Sequence, residues 1–209
     1  MLRRTMDDES PTFRTIDSAT DSDPRATTPA GPVLVVGGAG YIGSHTVRLL
    51  SERGVAVVVA DNLVTGHRAS VPTAFEQVDL ADRSGLAALF RARRPRSVIH
   101  FAARCYVGES VKDPSRYYRE NVFNTWNLLE EMRAAACCEI VFSSTCATYG
   151  IPAQVPISET CPQIPIKPYG RSKLHIEHML QDYGYAYGLR YAALRYFNAG
   201  GACGAVGED

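Results

Sequence analysis

A short apolar run, Val33 to Val36, leads directly into a loop with glycines at Gly37, Gly40 and Gly43, and a helical pattern starts at Tyr41. Four apolar residues closed by glycine read as a strand buried on both faces, the kind found inside parallel sheets. The glycine spacing lets backbone approach a pyrophosphate, and the amides at the start of the next helix would face its phosphates. A turn made of glycine only for tight packing is the other reading.

A second apolar run, residues 55–60, ends at Asp61, 24 residues after Gly37. An acidic side chain at this place accepts hydrogen bonds from the adenosine ribose hydroxyls and repels a 2′-phosphate, which argues for NAD over NADP. An ordinary turn aspartate before Asn62 is the competing interpretation.

The 209 residues, 45% hydrophobic and 21% charged, suit one globular domain with a buried core. Lys plus Arg and Asp plus Glu are 22 each, so net charge points to neither nucleic acid nor a membrane surface as partner. No run approaches the ~20 apolar residues of a membrane span, and none follows Arg3 and Arg4 as a signal sequence would require. A cytoplasmic protein is expected. The six cysteines lack C-x-x-C pairing and read as reduced thiols. His175 and His178 share a helix face but have no third ligand nearby in sequence, so no metal is expected.

Residues 1–31, rich in Ser, Thr, Asp and Pro and without hydrophobic periodicity, are expected to form a disordered tail; their six acids against four arginines are unlike a transit peptide. Residues 32–209 then form the dinucleotide-binding domain. Strands are predicted at 33–36, 55–60, 75–79, 97–101, 139–142 and 191–196, and helices at 41–52, 84–92, 114–135 and 169–183. The alternation predicts an α/β fold, a doubly wound parallel sheet whose ligands bind beyond the carboxyl ends of the strands. Gly150 to Lys167, with four prolines, is predicted to be a long ordered loop that shapes a site or makes a surface excursion.

Tyr169 and Lys173 follow Pro168 at i, i+4 on one helix face, about 5–6 Å apart at Cβ. An adjacent ammonium favours a phenolate, so Tyr169 is a candidate base near neutrality, with Lys173 free to hold a nicotinamide ribose. The fifth strand runs into Ser143, Ser144 and Thr145, and Thr145 is placed to hydrogen-bond a reacting hydroxyl and pass its proton to Tyr169. A strand-end hydroxyl cluster that satisfies backbone groups is the alternative.

With these residues the chain resembles the extended short-chain dehydrogenase/reductase family (Rossmann fold), and within it the UDP-glucose 4-epimerases. The resemblance runs from Val33 to the C-terminus. It rests on Gly37 to Thr46, Asp61 to Leu63, Val78 to Leu80, His100 to Ala103, Val107 to Val111, Asn121, the Ser-Ser-Thr segment, Pro168 to Lys173 and Leu194 to Asn198. It implies that Tyr41 and Ile42 line the pyrophosphate, Asp61, Asn62, Leu63, Val64, Thr65 and Gly66 the ribose edge, and Asp79 with Leu80 the adenine. Phe101, Ala102, Ala103, Cys105, Asn121, Lys173 and Phe197 would complete the NAD pocket, and Asn198 would join Thr145 and Tyr169 in contacting a UDP-sugar. The implied reaction is 4-epimerisation through a transient 4-keto sugar, UDP-glucose/UDP-galactose being the leading pair, with NAD resident.

Some such epimerases carry lysine where Cys105 stands. Related 4,6-dehydratases follow the hydroxyl residue with an Asp-Glu pair, whereas Cys146 and Ala147 follow Thr145 here. The spelling from Ser143 to Gly150 also resembles UDP-arabinose 4-epimerases, leaving hexose or pentose (arabinose/xylose) open. Relatives continue into a small substrate lobe, expected to be largely missing from a chain ending at Asp209, so an NAD-binding module without turnover is the alternative of another class. The resemblance also implies a homodimer through the helices at 114–135 and 169–183, with Tyr117, Tyr118, Phe123 and Trp126 offering an apolar face, unless that face packs on the domain's own sheet.

Overall fold

The computed structural model describes residues 31–203; the tail expected at 1–31, apart from Gly31, and the chain end at Asp209 lie outside the described residues. Six strands, β1 (Val33–Val36), β2 (Val57–Asp61), β3 (Ala74–Gln77), β4 (Ser97–His100), β5 (Glu139–Thr145) and β6 (Arg190–Tyr196), form one sheet in the order β3-β2-β1-β4-β5-β6. Every pairing is parallel, with Val33 opposite Val57 on one side and Ser97 on the other. The predicted doubly wound sheet is therefore present.

Its apolar strands feed two cores. Leu34 and Val36 of β1, with Val58 and Ala60 of β2, point to one face, and Val33, Val35, Val57 and Val59 to the other. The first face is covered by α2 (Arg83–Arg93) through Leu86, Leu89 and Phe90, by α5 (Asn124–Ala134) through Leu128, Leu129 and Met132, and by α6 (Pro168–Tyr187) through Ile176 and Leu180. The second is covered by α1 (Tyr41–Glu52) through Val47 and Leu50. Alternate side chains of one strand thus enter separate layers, which is why β1 and β2 are apolar without interruption.

Two predicted elements differ. The helix expected over 114–135 is α4 (Pro114–Tyr117), a π-helical stretch at Tyr118–Phe123, and then α5, and it follows an unpredicted short helix α3 (Val107–Lys112). β5 extends past Phe142 because Ser143, Ser144 and Thr145 pair with Leu194, Arg195 and Tyr196 of β6. Among the described residues no helix is long and apolar enough to cross a membrane.

Candidate active site

The connection from β1 turns to β2 while its other neighbour is β4, so a crevice opens between β1 and β4 at their carboxyl ends, where such sheets bind ligands. The glycine loop sits there. Gly37 has φ 77°, and a Cβ on it would stand 2.4 Å from the Ala102 amide nitrogen; one on Gly43 would stand 2.2 Å from the Gly37 carbonyl. These two glycines are needed for packing. A Cβ on Gly40, at the N-terminus of α1, would meet nothing closer than the Gly37 oxygen at 3.5 Å. The chain itself leaves room there, and the bare backbone at a helix N-terminus fits a phosphate cradle.

Asp61 ends β2 half-buried, its carboxylate accepting the Ala39 amide at 3.0 Å and the Leu63 amide at 2.8 Å. It braces the glycine loop and fixes Leu63 at φ 60° while keeping further lone pairs for ribose hydroxyls. Asn62 donates to Asp79 at 2.8 Å, joining the loops beyond β2 and β3. Val64 and Thr65 are exposed, whereas Gly66 presses on Ala39, so residues 62–66 form a rim over the glycine loop. Leu80 is buried, its carbonyl taking the Asn127 amide at 2.9 Å. Tyr41 and Ile42 are half-buried on the first turn of α1, and the Tyr41 hydroxyl donates to the Gly201 carbonyl at 2.6 Å. Together with Ala199 to Cys203 they line a cavity of about 340 Å³.

On the other wall, Phe101, Ala102 and Ala103 are half-buried after β4 and Cys105 is exposed. Asn121 is wholly buried in the π-helical stretch and its amide is fully engaged. It accepts from the Arg104 amide at 2.8 Å and donates to the Arg104 carbonyl and to Ser172, each at 3.1 Å. It shapes the pocket from behind by joining the β4–α3 loop to α6. Phe197 and Asn198 lie exposed just beyond β6.

The chemistry gathers at the end of β5. The Tyr169 phenol lies within electrostatic reach of Thr145, Cys105 and Cys146. Burial raises its pKa above the ordinary value, and Thr145 pulls it partly back. Lys173 is 2% exposed, donates to the Ser143 carbonyl at 2.8 Å and lies 4.7 Å from the Phe142 ring centroid. Burial lowers its pKa to about 8, against the opposing charges of Cys105 and Glu177. The i, i+4 spacing thus brings Tyr169 and Lys173 to one strand end, but the lysine spends a hydrogen bond on backbone rather than on the phenol.

Four side chains take roles in the site that the sequence reading did not give them. The first is Tyr117, which is wholly buried, packs edge-on to Tyr169 at 6.4 Å and donates to the Tyr106 carbonyl and Glu109, so it belongs to the site wall and not to an outer face. Tyr118 and Phe123 are exposed and Trp126 is half-buried. The second is His100, 1% exposed beneath Lys173, with Nε2 2.9 Å from the Thr125 hydroxyl. Third and fourth, Glu177 and Arg195 pair at 2.8 Å behind Lys173; only an interrupted pattern of charge on α6 and β6 hints at them in sequence. No cluster of three or more His, Cys, Asp or Glu suited to a metal ion occurs among the described residues, where all six cysteines are free.

The model for the NAD dependent epimerase/dehydratase family matches residues 33–207. The UDP-glucose 4-epimerase of Lacticaseibacillus casei is 51% identical over 181 residues, which cover 85% of this chain and 55% of that protein. The enzyme of the same name from Rhizobium meliloti (strain 1021) is 51% identical over 179 residues, 84% of this chain and 55% of its own. A crystal structure of UDP-glucose 4-epimerase from Brucella ovis in complex with NAD superposes with a TM-score of 0.85 at 55% identity, covering 86% of this chain and 56% of that one. The chain spans about half the length of the curated relatives it matches. The chain belongs to the NAD dependent epimerase/dehydratase family.

Proposed function

We propose that this protein binds NAD across the β1–β4 crevice and serves the 4-epimerisation of a UDP-sugar, UDP-glucose/UDP-galactose first, through a transient 4-keto sugar. One observation carries this reading. Thr145, Tyr169 and Lys173 converge at the end of β5 beside a glycine cradle in which Gly40 alone is bare without a packing reason. Gly40, Tyr41 and Ile42 would hold the pyrophosphate in the loop that Gly37 and Gly43 shape, Asp61 the adenosine ribose, Asp79 and Leu80 the adenine rim, and Lys173 the nicotinamide ribose. When bound, NAD supplies the hydride acceptor, which carries a positive charge.

Tyr169 takes the proton of the sugar 4-hydroxyl, directly or across Thr145, and returns it when the ketone is reduced on its other face. Thr145 orients that oxygen. Lys173, titrating at about 8, carries its charge at neutral pH, and it is Thr145 that opposes the rise burial imposes on the phenol. Cys146 and Ala147 follow Thr145, which supports epimerisation over dehydration, because neither side chain in that pair can serve as the carboxylic acid and base that elimination needs. The same reading puts the protein in the cytoplasm as a homodimer paired through α6 and the helical run from α4 to α5, where Tyr118 and Phe123 are exposed.

The alternative reading is NAD binding without turnover. Calorimetry with NAD and an assay of UDP-galactose conversion by the 209-residue chain separate the two. The epimerase reading expects saturable binding together with conversion, and Tyr169→Phe should cut the rate by roughly 10²–10⁴ while leaving NAD affinity within a few fold. Binding with no conversion leaves the module; no binding removes both.

A further inference from the structure

We propose that Glu177 is a positioning residue of this site: its buried carboxylate clamps the end of β5 to α6 and ties residues 159–163 of the long loop against the reacting cluster. The proposal rests on the role given above to Thr145, Tyr169 and Lys173.

Tyr169, Lys173 and Glu177 recur every four residues and so share one face of α6. That face meets three consecutive residues of β5. Thr145 lies within electrostatic reach of the Tyr169 phenol, Ser143 takes Lys173 on its carbonyl, and Ser144 donates its hydroxyl to Glu177. Ser144 and Glu177 are 2% and 7% exposed, so this third rung is shielded from water. A buried carboxylate needs compensation. Arg195 of β6 supplies it with Nη2 at 2.8 Å and Nε at 3.2 Å, and Gln163 of the loop donates at 3.0 Å. Burial acts to raise the Glu177 pKa, but Arg195, Ser144 and Gln163 together hold it below the usual carboxylate range. Arg195 also reaches the Tyr149 hydroxyl at 2.7 Å and the Glu159 carbonyl at 3.3 Å. One carboxylate therefore joins β5, α6, β6 and Gln163, and its Arg195 partner holds the other end of segment 159–163 at Glu159.

The clamp also bears on charge. The groups facing Lys173 are His100 from β4, Cys105 from the loop after it, and Tyr169 and Glu177 on its own helix; among them Cys105 first and then Glu177 support the ammonium. Removing the charge of Glu177 while keeping its shape should make Lys173 easier to deprotonate.

The chain has three lysines, Lys112, Lys167 and Lys173, so ¹³C-lysine NMR of the whole protein resolves each, with Lys→Arg at the first two giving the assignment. In the wild type the Lys173 signal should titrate at about 8. In Glu177→Gln its midpoint should fall, and amide exchange within 159–163 should quicken by about tenfold or more. Gln163→Ala, which removes only the loop's own bond, should quicken exchange and leave the Lys173 midpoint in place. An unchanged value of either quantity in Glu177→Gln overturns the clamp. Both measurements are made without NAD, so a wild type that fails to bind NAD would strike the cofactor reading alone.

Discussion

At the scale of single residues, three glycines that look equivalent in sequence do different work. Gly37 and Gly43 are excluded from bearing a side chain by neighbours at 2.4 Å and 2.2 Å, whereas Gly40 has φ −80° and clear space to 3.5 Å. Spacing alone assigns all three to phosphate approach; only the built loop separates packing from binding. Gly43→Ala should therefore destabilise the fold by about 1–3 kcal/mol through forced overlap. Gly40→Ala should melt within about a degree of wild type yet weaken NAD binding at least tenfold. Thermal melts paired with calorimetry check both, and a Gly40→Ala protein with unaltered affinity would take that residue out of the cradle. Glu177 and Arg195 were illegible for a related reason: they lie 18 residues apart and meet only after α6 has folded onto the sheet.

Among the elements, those whose cause is local were readable. β1 and β2 are apolar runs, and α6 starts at Pro168 after extended Lys167 and stops at Gly188, which caps it with φ 72°. The left-handed cap gives a clean prediction. A Cβ on Gly188 would touch nothing within 4 Å, so Gly188→Ala suffers only backbone strain and should lower stability by about 1–2 kcal/mol, read from a urea midpoint at unchanged slope. A midpoint equal to wild type would mean that the helix end is not held in this form. Elements with distant causes were misread. The run over 114–135 keeps helical periodicity, but its π-helical segment centres on Asn121, which is bonded to the Arg104 backbone and Ser172, partners that no local pattern reveals. α3 is six residues long, too short to show a period, and β5 is extended by its partner β6 rather than by its own polar composition.

For the whole molecule, the parallel sheet forces its chemistry to one end, and a cost of that arrangement falls on His100. The last residue of β4 is sealed between Thr125 of α5 and the Phe142 ring of β5, 5.7 Å away, and its Nδ1 has no hydrogen-bond partner among the described residues. Burial first, and then the charge of Lys173, lower its pKa from 6.5 to about 3. Protonation is thus open to the unfolded chain below 6.5 but denied to the folded one until far lower. Stability from this group is complete above 6.5 and is lost as pH falls toward 3, at up to about 1.4 kcal/mol per pH unit. Glu177, also depressed, adds a loss of the same sign only nearer the carboxylate range, so the two separate by pH. Denaturation at pH 7.5 and 5.0 should show about 2 kcal/mol of difference from His100, and that part should vanish in His100→Gln, whose amide keeps a partner for Thr125 without taking a proton. If the variant lost stability between those two pH values as steeply as the wild type, the acid sensitivity would have to come from another histidine, and His100 would not be the neutral filler beneath Lys173 that the fold makes it.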